Sequence, residues 1–239
     1  MDHFLSTRTA DEEAMSGAAP GRALAAGIAL LCSLPLQAAE TIGVGQFSAG
    51  VLEHWESEIF SGTTEYQLES DPEQGAVLRA NSQASASGLF RKIEVDLNST
   101  PWLNWSWKVD SLIQGADERT RSGDDYPARI YVVFSGGVFF WKARALNYVW
   151  SSSQPTGSEW PNAYTGNARM IAVESGEAQL GTWRYEARDV RADYRRLFGA
   201  EPGPVAAVAL MTDTDNTGQF ASAAYGDIWF GSAAATVAP

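Results

Sequence analysis

The residues best suited to chemistry form a short run of oxygen-bearing side chains. The run reads Thr212-Asp213-Thr214-Asp215-Asn216-Thr217-Gly218 and follows the apolar stretch from Val205 to Met211. Carboxylate and amide oxygens are ligands that Ca²⁺ prefers, which makes a structural Ca²⁺ site one interpretation. The other interpretation is an Asx-rich turn that holds no metal. The metal ligands predicted on the first interpretation are Asp213, Asp215, Asn216 and Asp227, the last of them from a later segment.

A second polar cluster lies in the middle of the chain. It comprises Asp117-Glu118 and then Asp124-Asp125-Tyr126-Pro127-Ala128-Arg129, where Arg129 opens a strand-like segment. Loops held by a rigid sheet commonly carry binding residues, so Arg129 with Asp125 and Lys108 forms a candidate polar site. The alternative, slightly favoured for these residues, is a solvated acidic loop in which Arg129 pairs with a neighbouring carboxylate.

Aromatic side chains stand in and beside a long loop from Ser151 to Gly166. They are Tyr148, Trp150, Trp160 and Tyr164. If exposed, they would offer flat faces for sugar rings, and polar groups around them would fix the ligand's orientation. Burial under the loop is the alternative. The ligand-binding residues predicted from these clusters are Lys108, Asp124, Asp125, Arg129, Tyr148 and Trp150.

Several classes of site are excluded by residues that the sequence lacks. The only cysteine, Cys32, lies in an apolar leader, so no thiolate nucleophile or cysteine-based metal site is expected in the mature chain. The histidines are His3 and His54, too few for a multi-histidine metal centre. No glycine-rich phosphate loop or dinucleotide fingerprint is present, which argues against a nucleotide cofactor.

No catalytic residue is assigned from the sequence. A Ser-His-Asp triad would have to use His54, and no Gly-x-Ser-x-Gly elbow precedes a helix. Glycoside hydrolysis needs only a pair of carboxylates, for which Asp124, Asp125 and Glu174 are candidates, together with Arg129. An enzyme therefore stays possible, and a non-catalytic role is favoured.

The charge of the chain limits its partners. The formal net charge is −12, and the basic residues form no long run. Nucleic acids and anionic membrane surfaces are bound through clustered Lys and Arg, so neither is an expected partner. A saccharide or another small polar ligand is compatible with this charge.

The elements that must position these residues are strands. Segments rich in β-branched and aromatic residues alternate with Gly, Pro, Asn, Asp and Ser clusters, which predicts an all-β protein. In Leu103-Asn104-Trp105-Ser106-Trp107-Lys108-Val109 apolar and polar residues alternate, so Trp105 and Trp107 share one face, which we interpret as core. The predicted strands run over 54–60, 63–69, 76–81, 88–97, 102–110, 129–134, 139–143, 148–151, 170–174, 182–188, 205–211 and 224–230.

One segment has helical rather than strand periodicity. Val190, Tyr194, Leu197 and Phe198 recur at helical spacing, with Asp189 as a capping residue and a glycine after the last of them. The sequence thus predicts an all-β sandwich over residues 40–239, in a single domain, with one short helix near residues 189–198.

The first 39 residues have the parts of a secretory leader. A basic residue, an apolar run from Ala23 to Leu34 and the small residues Ala38 and Ala39 predict a signal peptide that is cleaved after one of these two alanines. The polar residues before Met15 do not fit a leader, so Met15 is the predicted true start. The run is too short to span a bilayer, which predicts a periplasmic or secreted protein that is not integral to the membrane.

The chain resembles the bacterial domain of unknown function 3047 family over nearly all of its mature length. The resemblance rests on Asp124 to Tyr131, on Leu146 to Trp150, on Trp183 with the segment from Arg188 to Gly199, on Met211 to Thr217 and on Tyr225 to Ile228. It implies an exported bacterial protein without an established activity. The closing Tyr225-Gly226-Asp227-Ile228 segment also looks like the last strand of galactose-binding-like jelly rolls.

These features favour an exported, non-catalytic binding protein of β-sandwich fold. Its expected ligand is of saccharide type, and a structural Ca²⁺ is its one expected cofactor. A glycan-active hydrolase or lyase that uses carboxylates is the first alternative. An envelope scaffold that binds another protein is the second.

Overall fold

The computed structural model describes residues 40–135 and 143–235, and within them the chain is built almost entirely from strands. The predicted leader and most of the predicted strand 139–143 lie outside the described residues. The first strands are β1 (Thr41–Gly45), β2 (Glu56–Ser61), β3 (Glu65–Asp71), β4 (Gly75–Gln83), β5 (Ala86–Val95) and β6 (Trp102–Val109). The later ones are β7 (Ala128–Phe134), β8 (Arg144–Ser151), β9 (Glu159–Pro161), β10 (Ala168–Ser175), β11 (Arg184–Asp189), β12 (Val205–Asp213) and β13 (Phe220–Gly231).

The strands form two sheets. The six-stranded sheet has the order β11-β6-β13-β4-β3, and β1 pairs with β13 beside this path. The seven-stranded sheet has the order β2-β5-β12-β7-β8-β10-β9. Every pairing is antiparallel except that of β8 with β10, which is parallel.

The core lies between the two sheets and is dominated by large aromatic side chains. Trp105 and Trp107 on β6 are fully buried, which confirms that they belong to the core. They meet two aromatic residues of β8 across the sandwich, with ring centroids 5.4 Å apart for Trp105 and Tyr148 and 6.1 Å apart for Trp107 and Trp150. Burial of such side chains is the main source of stability in a sandwich of this kind.

The helix α1 (Val190–Phe198) follows β11 and lies beside β11 and β6. The Asp189 carboxylate accepts a hydrogen bond from the Ala192 N–H at 2.9 Å, and Gly199 ends the helix with a φ of 64°. Tyr194 packs against Phe134 of β7, at a ring distance of 4.5 Å. The predicted all-β sandwich with one short helix is confirmed for the described residues. No helix among the described residues is long and apolar enough to cross a membrane.

Alternation along the strands also creates an outer face on the seven-stranded sheet. Ile130 and Leu210 belong to the core, so their neighbours Arg129 and Met211 point the other way. The register places Arg129 opposite Met211 and Tyr131 opposite Asn147. Side chains from β7, β8 and β12 thus meet on the surface that faces away from the core.

Candidate functional site

A cleft of about 450 Å³ opens on the outer face of the seven-stranded sheet. Strands supply its floor, and the loops before β7, after β9 and after β12 supply its wall. The floor residues are Arg129, Tyr131, Asn147, Met211 and Asp213, and the wall residues include Asp124, Asn162, Tyr164, Asp215 and Asn216. Phe60 of the edge strand β2, which is 61% exposed, also lines the cleft.

A buried ion pair forms the centre of the floor. Arg129 donates from Nη2 to Oδ2 of Asp213 at 2.6 Å, and both side chains are almost fully buried. The guanidinium also lies 5.1 Å from the ring centroids of both Tyr126 and Tyr131, a distance at which cations are attracted to aromatic faces. Within residues 40–135 and 143–235, Nε of Arg129 has no hydrogen-bond partner.

Asn147 is the least satisfied polar residue of the floor. It is 1% exposed, and neither its amide nitrogen nor its amide oxygen has a hydrogen-bond partner within the described part of the chain. A buried polar group without a partner costs about 1–3 kcal/mol, so such groups are uncommon in folded proteins. Asn147 therefore places an amide nitrogen and an amide oxygen, both without partners in the described residues, in the lining of the cleft.

Two carboxyl groups of the cleft, those of Asp213 and Asp124, have raised pKa values. Burial raises the pKa of Asp213 well above its ordinary value, although Arg129 acts in the opposite direction. Burial likewise raises the pKa of Asp124, opposed by Arg129 and by a hydrogen bond from Asn162. Asn162 Nδ2 donates to the Asp124 carboxylate at 3.1 Å, and the Tyr126 hydroxyl donates to it at 3.1 Å.

The Asp-rich turn after β12 is fastened to the loop before β7. Asp125 accepts hydrogen bonds from the backbone N–H groups of Asn216, at 3.2 Å, and Thr217, at 2.7 Å. The Tyr164 hydroxyl donates to Oδ1 of Asn216 at 2.6 Å, which adds an aromatic side chain to the wall. These bonds stabilise the Asx-rich turn from within the protein.

Three carboxylates of this region could hold a cation. One oxygen from each of Asp125, Asp213 and Asp215 lies within 4.8 Å of the others. Asp227, predicted as a fourth ligand, is elsewhere: it lies on β13 in the six-stranded sheet and accepts a hydrogen bond from the Ser48 N–H at 2.8 Å. The metal prediction is thus wrong for Asp227, because the last strand pairs into the opposite sheet. Bound Ca²⁺ stays a prediction, to be checked by thermal melts with EDTA and with added Ca²⁺.

Three further ligand-binding predictions are corrected by the structure. Lys108 lies on β6 in the six-stranded sheet, where it donates to Asp71 at 2.7 Å, so it is not a neighbour of Arg129. Tyr148 and Trp150 are fully buried between the sheets and cannot form a ligand platform. Side chains alternate between the two faces of a strand, and on β8 the even-numbered residues from 146 to 150 point into the core.

The same alternation explains why Asn147, which was not predicted as a site residue, lines the cleft. Asn147 lies between Leu146 and Tyr148 and points outward when they point inward. A polar residue in an otherwise apolar strand segment is a usable signal for such a position. Tyr131, Met211 and Phe60 gave no comparable signal, because apolar and aromatic residues are common on both faces of strands.

A buried glutamate anchors the loop that carries Asp124. Glu118 accepts hydrogen bonds from the Ser152 N–H at 2.6 Å and from the Ser151 hydroxyl, and it is inaccessible to solvent. Burial raises the pKa of Glu118 to about 7 despite these hydrogen bonds. This contact joins the loop before β7 to the loop after β8, and so fixes the wall of the cleft.

The family model for "Protein of unknown function (DUF3047)" matches residues 53–229. The chain belongs to this DUF3047 family. The matched region contains every strand that contributes to the cleft, from β2 to β12. The family resemblance expected from the sequence is thereby confirmed, and the family itself carries no assigned function. A search of curated proteins finds no relative of this DUF3047 chain.

Several solved structures match this chain at low similarity. The glycoside hydrolase domain of Endo-D from Streptococcus pneumoniae R6 is 10% identical, with a TM-score of 0.37, over 75% of this chain and 22% of that one. A cellulase derived from Cel12A of Rhodothermus marinus is 13% identical, with a TM-score of 0.41, over 79% of this chain and 100% of that one. The xyloglucanase domain of NopAA from Sinorhizobium fredii is 8% identical, with a TM-score of 0.40, over 73% and 91%. Similarity this low carries no information about the ligand of this chain.

Proposed function

We propose that this DUF3047 protein binds a saccharide-type ligand in the cleft of the seven-stranded sheet, without transforming it. The observation that carries the proposal is the buried amide of Asn147, which lacks a partner in the described residues and lines the cleft. A sugar hydroxyl both donates and accepts hydrogen bonds, so sugar hydroxyls match both vacant amide atoms.

The surroundings of Asn147 fit a sugar ring as well. Tyr131 lies opposite Asn147 in the strand register. Tyr164 and Phe60 also line the cleft. Small-molecule sites combine such apolar faces with a few polar groups that fix orientation. Here the polar groups are Asn147, Asn162 and the carboxylates of Asp124 and Asp215.

Export is part of the same proposal. Its support is the leader pattern of the first 39 residues, with an apolar run followed by Ala38 and Ala39. N-terminal sequencing of the protein recovered from the periplasm or the medium tests this part. A mature N-terminus at Ala39 or Glu40 is expected, and recovery of the uncleaved chain from the cytoplasm alone would contradict it.

The binding experiment uses the mature chain, residues 40–239, on a glycan array followed by calorimetry on each ligand found. Asn147→Ala is expected to lower the affinity at least about tenfold, the usual effect of losing hydrogen bonds in a buried site. Asn98→Ala is the matched control, because Asn98 is exposed beyond the far end of β5. Binding that survives Asn147→Ala unchanged would show that the ligand lies elsewhere.

A carboxylate-based glycan hydrolase or lyase is a second candidate, favoured by one observation. Asp124 and Asp213 both line the cleft, and both have raised pKa values, as general acids of such enzymes do. Glu174 is not among the residues that line the cleft. It lies on β10 and pairs with Arg184 of β11 at 2.6 Å. Release of reducing ends from a polysaccharide panel, lost in Asp213→Asn, would favour this enzyme over a binding protein.

A further inference from the structure

We propose that the saccharide bound in this cleft carries a positively charged amino group, as a free amino sugar does. This inference rests on the proposed saccharide binding and names the class of ligand. It follows from the charges that line the cleft, from the acceptor atoms that the protein leaves unused, and from the aromatic faces beside them.

The described lining of the cleft has more carboxyl groups than cationic groups. Asp124, Asp213 and Asp215 line it, and Arg129 is its one cation among the described lining residues. The Arg129 guanidinium already pairs with Asp213 at 2.6 Å. Arg121 stacks on the outer wall residue Tyr164 at 5.2 Å but is not part of the lining. A carboxylate or sulfate group of a ligand would therefore lie beside the Asp215 carboxylate, which forms no ion pair among the described residues.

Carboxylate oxygens remain free to accept hydrogen bonds from a ligand. Oδ1 of Asp215 accepts from Nδ2 of Asn216 at 2.8 Å, while its Oδ2 has no partner in the part of the chain that the structure describes. On Asp213, Oδ2 is engaged by Arg129, whereas Oδ1 receives only a long contact, 3.4 Å, from the Tyr126 N–H. An ammonium group carries three donors and no acceptor, so it complements such oxygens.

Aromatic rings complete an environment suited to a cation. Tyr131 already attracts the guanidinium of Arg129 at 5.1 Å, and Tyr164 attracts that of Arg121 at 5.2 Å. A ligand ammonium that replaces solvent beside either ring gains a similar attraction. Asn147 then serves the hydroxyl groups of the same sugar, since its buried amide offers both a donor and an acceptor.

The experiment compares matched sugars that differ only at the amino group. The mature chain is titrated by calorimetry with oligosaccharides of glucosamine, galactosamine and mannosamine, each in the free-amine and N-acetylated form, and with the corresponding neutral and uronic acid oligomers. We expect the best free-amine ligand to bind about tenfold more tightly than its N-acetylated form, with a preference that shrinks as NaCl is raised. Uronic acid oligomers should bind weakest.

Two variants locate the preference within the cleft. Asp215→Asn keeps the shape of the side chain and should reduce the preference for the free amine about fivefold, without abolishing binding of the N-acetylated sugar. Glu73→Gln is the charge-matched control, because Glu73 is exposed in the turn between β3 and β4 of the opposite sheet. It should leave the preference unchanged.

The outcomes separate this inference from the proposed function. Equal binding of free-amine and N-acetylated sugars would overturn the inference and leave saccharide binding intact. A preference that persists unchanged in Asp215→Asn, or that falls equally in Glu73→Gln, would also overturn it. If no sugar of the panel binds, both the inference and the proposed function are wrong.

Discussion

The two sheets each carry a buried ion pair on their outer faces, and the two pairs differ in what surrounds them. Lys108 and Asp71 pair at 2.7 Å on the six-stranded sheet, and Asp71 also accepts hydrogen bonds from Trp183 Nε1 at 3.1 Å and from the Glu73 N–H at 2.9 Å. Arg129 and Asp213 pair at 2.6 Å on the seven-stranded sheet, yet Nε of Arg129 and the amide of Asn147 lack partners in the described residues.

The difference distinguishes a structural ion pair from a binding site. Burial by itself raises the pKa of Asp71. The hydrogen bonds that Asp71 accepts from Lys108, two backbone N–H groups and Trp183 outweigh burial and lower its pKa to about 2. In the cleft, Asp213 and Asp124 have raised pKa values, because burial is not offset to the same extent. Groups left unsatisfied by the fold are the ones a ligand can satisfy.

The largest expected effect concerns the loop that forms the cleft wall. The pKa of Glu118 is raised from 4.5 to about 7, so between these values the folded protein keeps a proton that the unfolded chain has lost. Stability should fall by up to about 3 kcal/mol as the pH rises through this window. Urea unfolding at a series of pH values measures this change.

Glu118→Gln is the variant that isolates this effect. The stability of Glu118→Gln should depend less on pH than that of the wild type between pH 4.5 and 7. Burial also raises the pKa of Glu186 to about 7, so Glu186 contributes a pH dependence to both proteins. Parallel curves for the two proteins would show that folding does not raise the pKa of Glu118.

The second prediction compares the two ion pairs directly through Asp71→Asn and Asp213→Asn. Asp71 is stabilised in its charged form, so Asp71→Asn should cost about 1–2 kcal/mol at pH 7. This contribution is present above pH 3.8 and is lost as the pH falls through 2, so the two curves should converge in acid. Asp213→Asn should also destabilise the protein, because it leaves the buried Arg129 guanidinium without its carboxylate partner. Because burial raises the pKa of Asp213, this cost should not shrink in acid as that of Asp71→Asn does. Chemical unfolding at a series of pH values checks both, and a cost of Asp213→Asn that also disappears in acid would contradict the proposed distinction.

A third prediction concerns the unsatisfied amide of the cleft floor. Asn147→Leu should stabilise the free protein by about 1 kcal/mol, because an apolar side chain of similar size replaces a buried group without partners. The same variant should lose saccharide affinity. A thermal melt and a calorimetric titration of the same sample measure the two effects, and a clear loss of stability would indicate that Asn147 is already satisfied in the free protein.

The smallest expected effect comes from two exposed tyrosines that form a matched pair. Tyr164 is 53% exposed beside the cleft and Tyr185 is 43% exposed on the opposite sheet, and each hydroxyl contacts a side-chain amide, of Asn216 and Gln74 respectively. Either alanine variant should change stability by less than about 0.5 kcal/mol. Only Tyr164→Ala should weaken saccharide binding, by about fivefold. An equal loss in Tyr185→Ala would place the ligand on the other face.

The strand pattern of the sequence predicted most of the fold, because strands and turns are signalled locally. Eleven predicted strands that fall on described residues overlap strands of the structure, and the helix from Val190 to Phe198 lies where it was expected. The short strands β1 and β9 were missed, since Thr41–Gly45 and Glu159–Pro161 are too brief to show a periodic pattern. Trp105 and Trp107 were assigned to the core correctly, because their segment alternates without interruption.

By itself the sequence determined which residues could do chemistry, and the tertiary structure decided which of them meet. Period-2 alternation separates two faces of a strand but does not state which face is inward, so Tyr148 and Trp150 were expected at the ligand and Asn147 was missed. Sheet membership is equally non-local. Arg129 and Asp213 are 84 positions apart and are joined by the pairing of β7 with β12, whereas Lys108 and Asp227 belong to the opposite sheet.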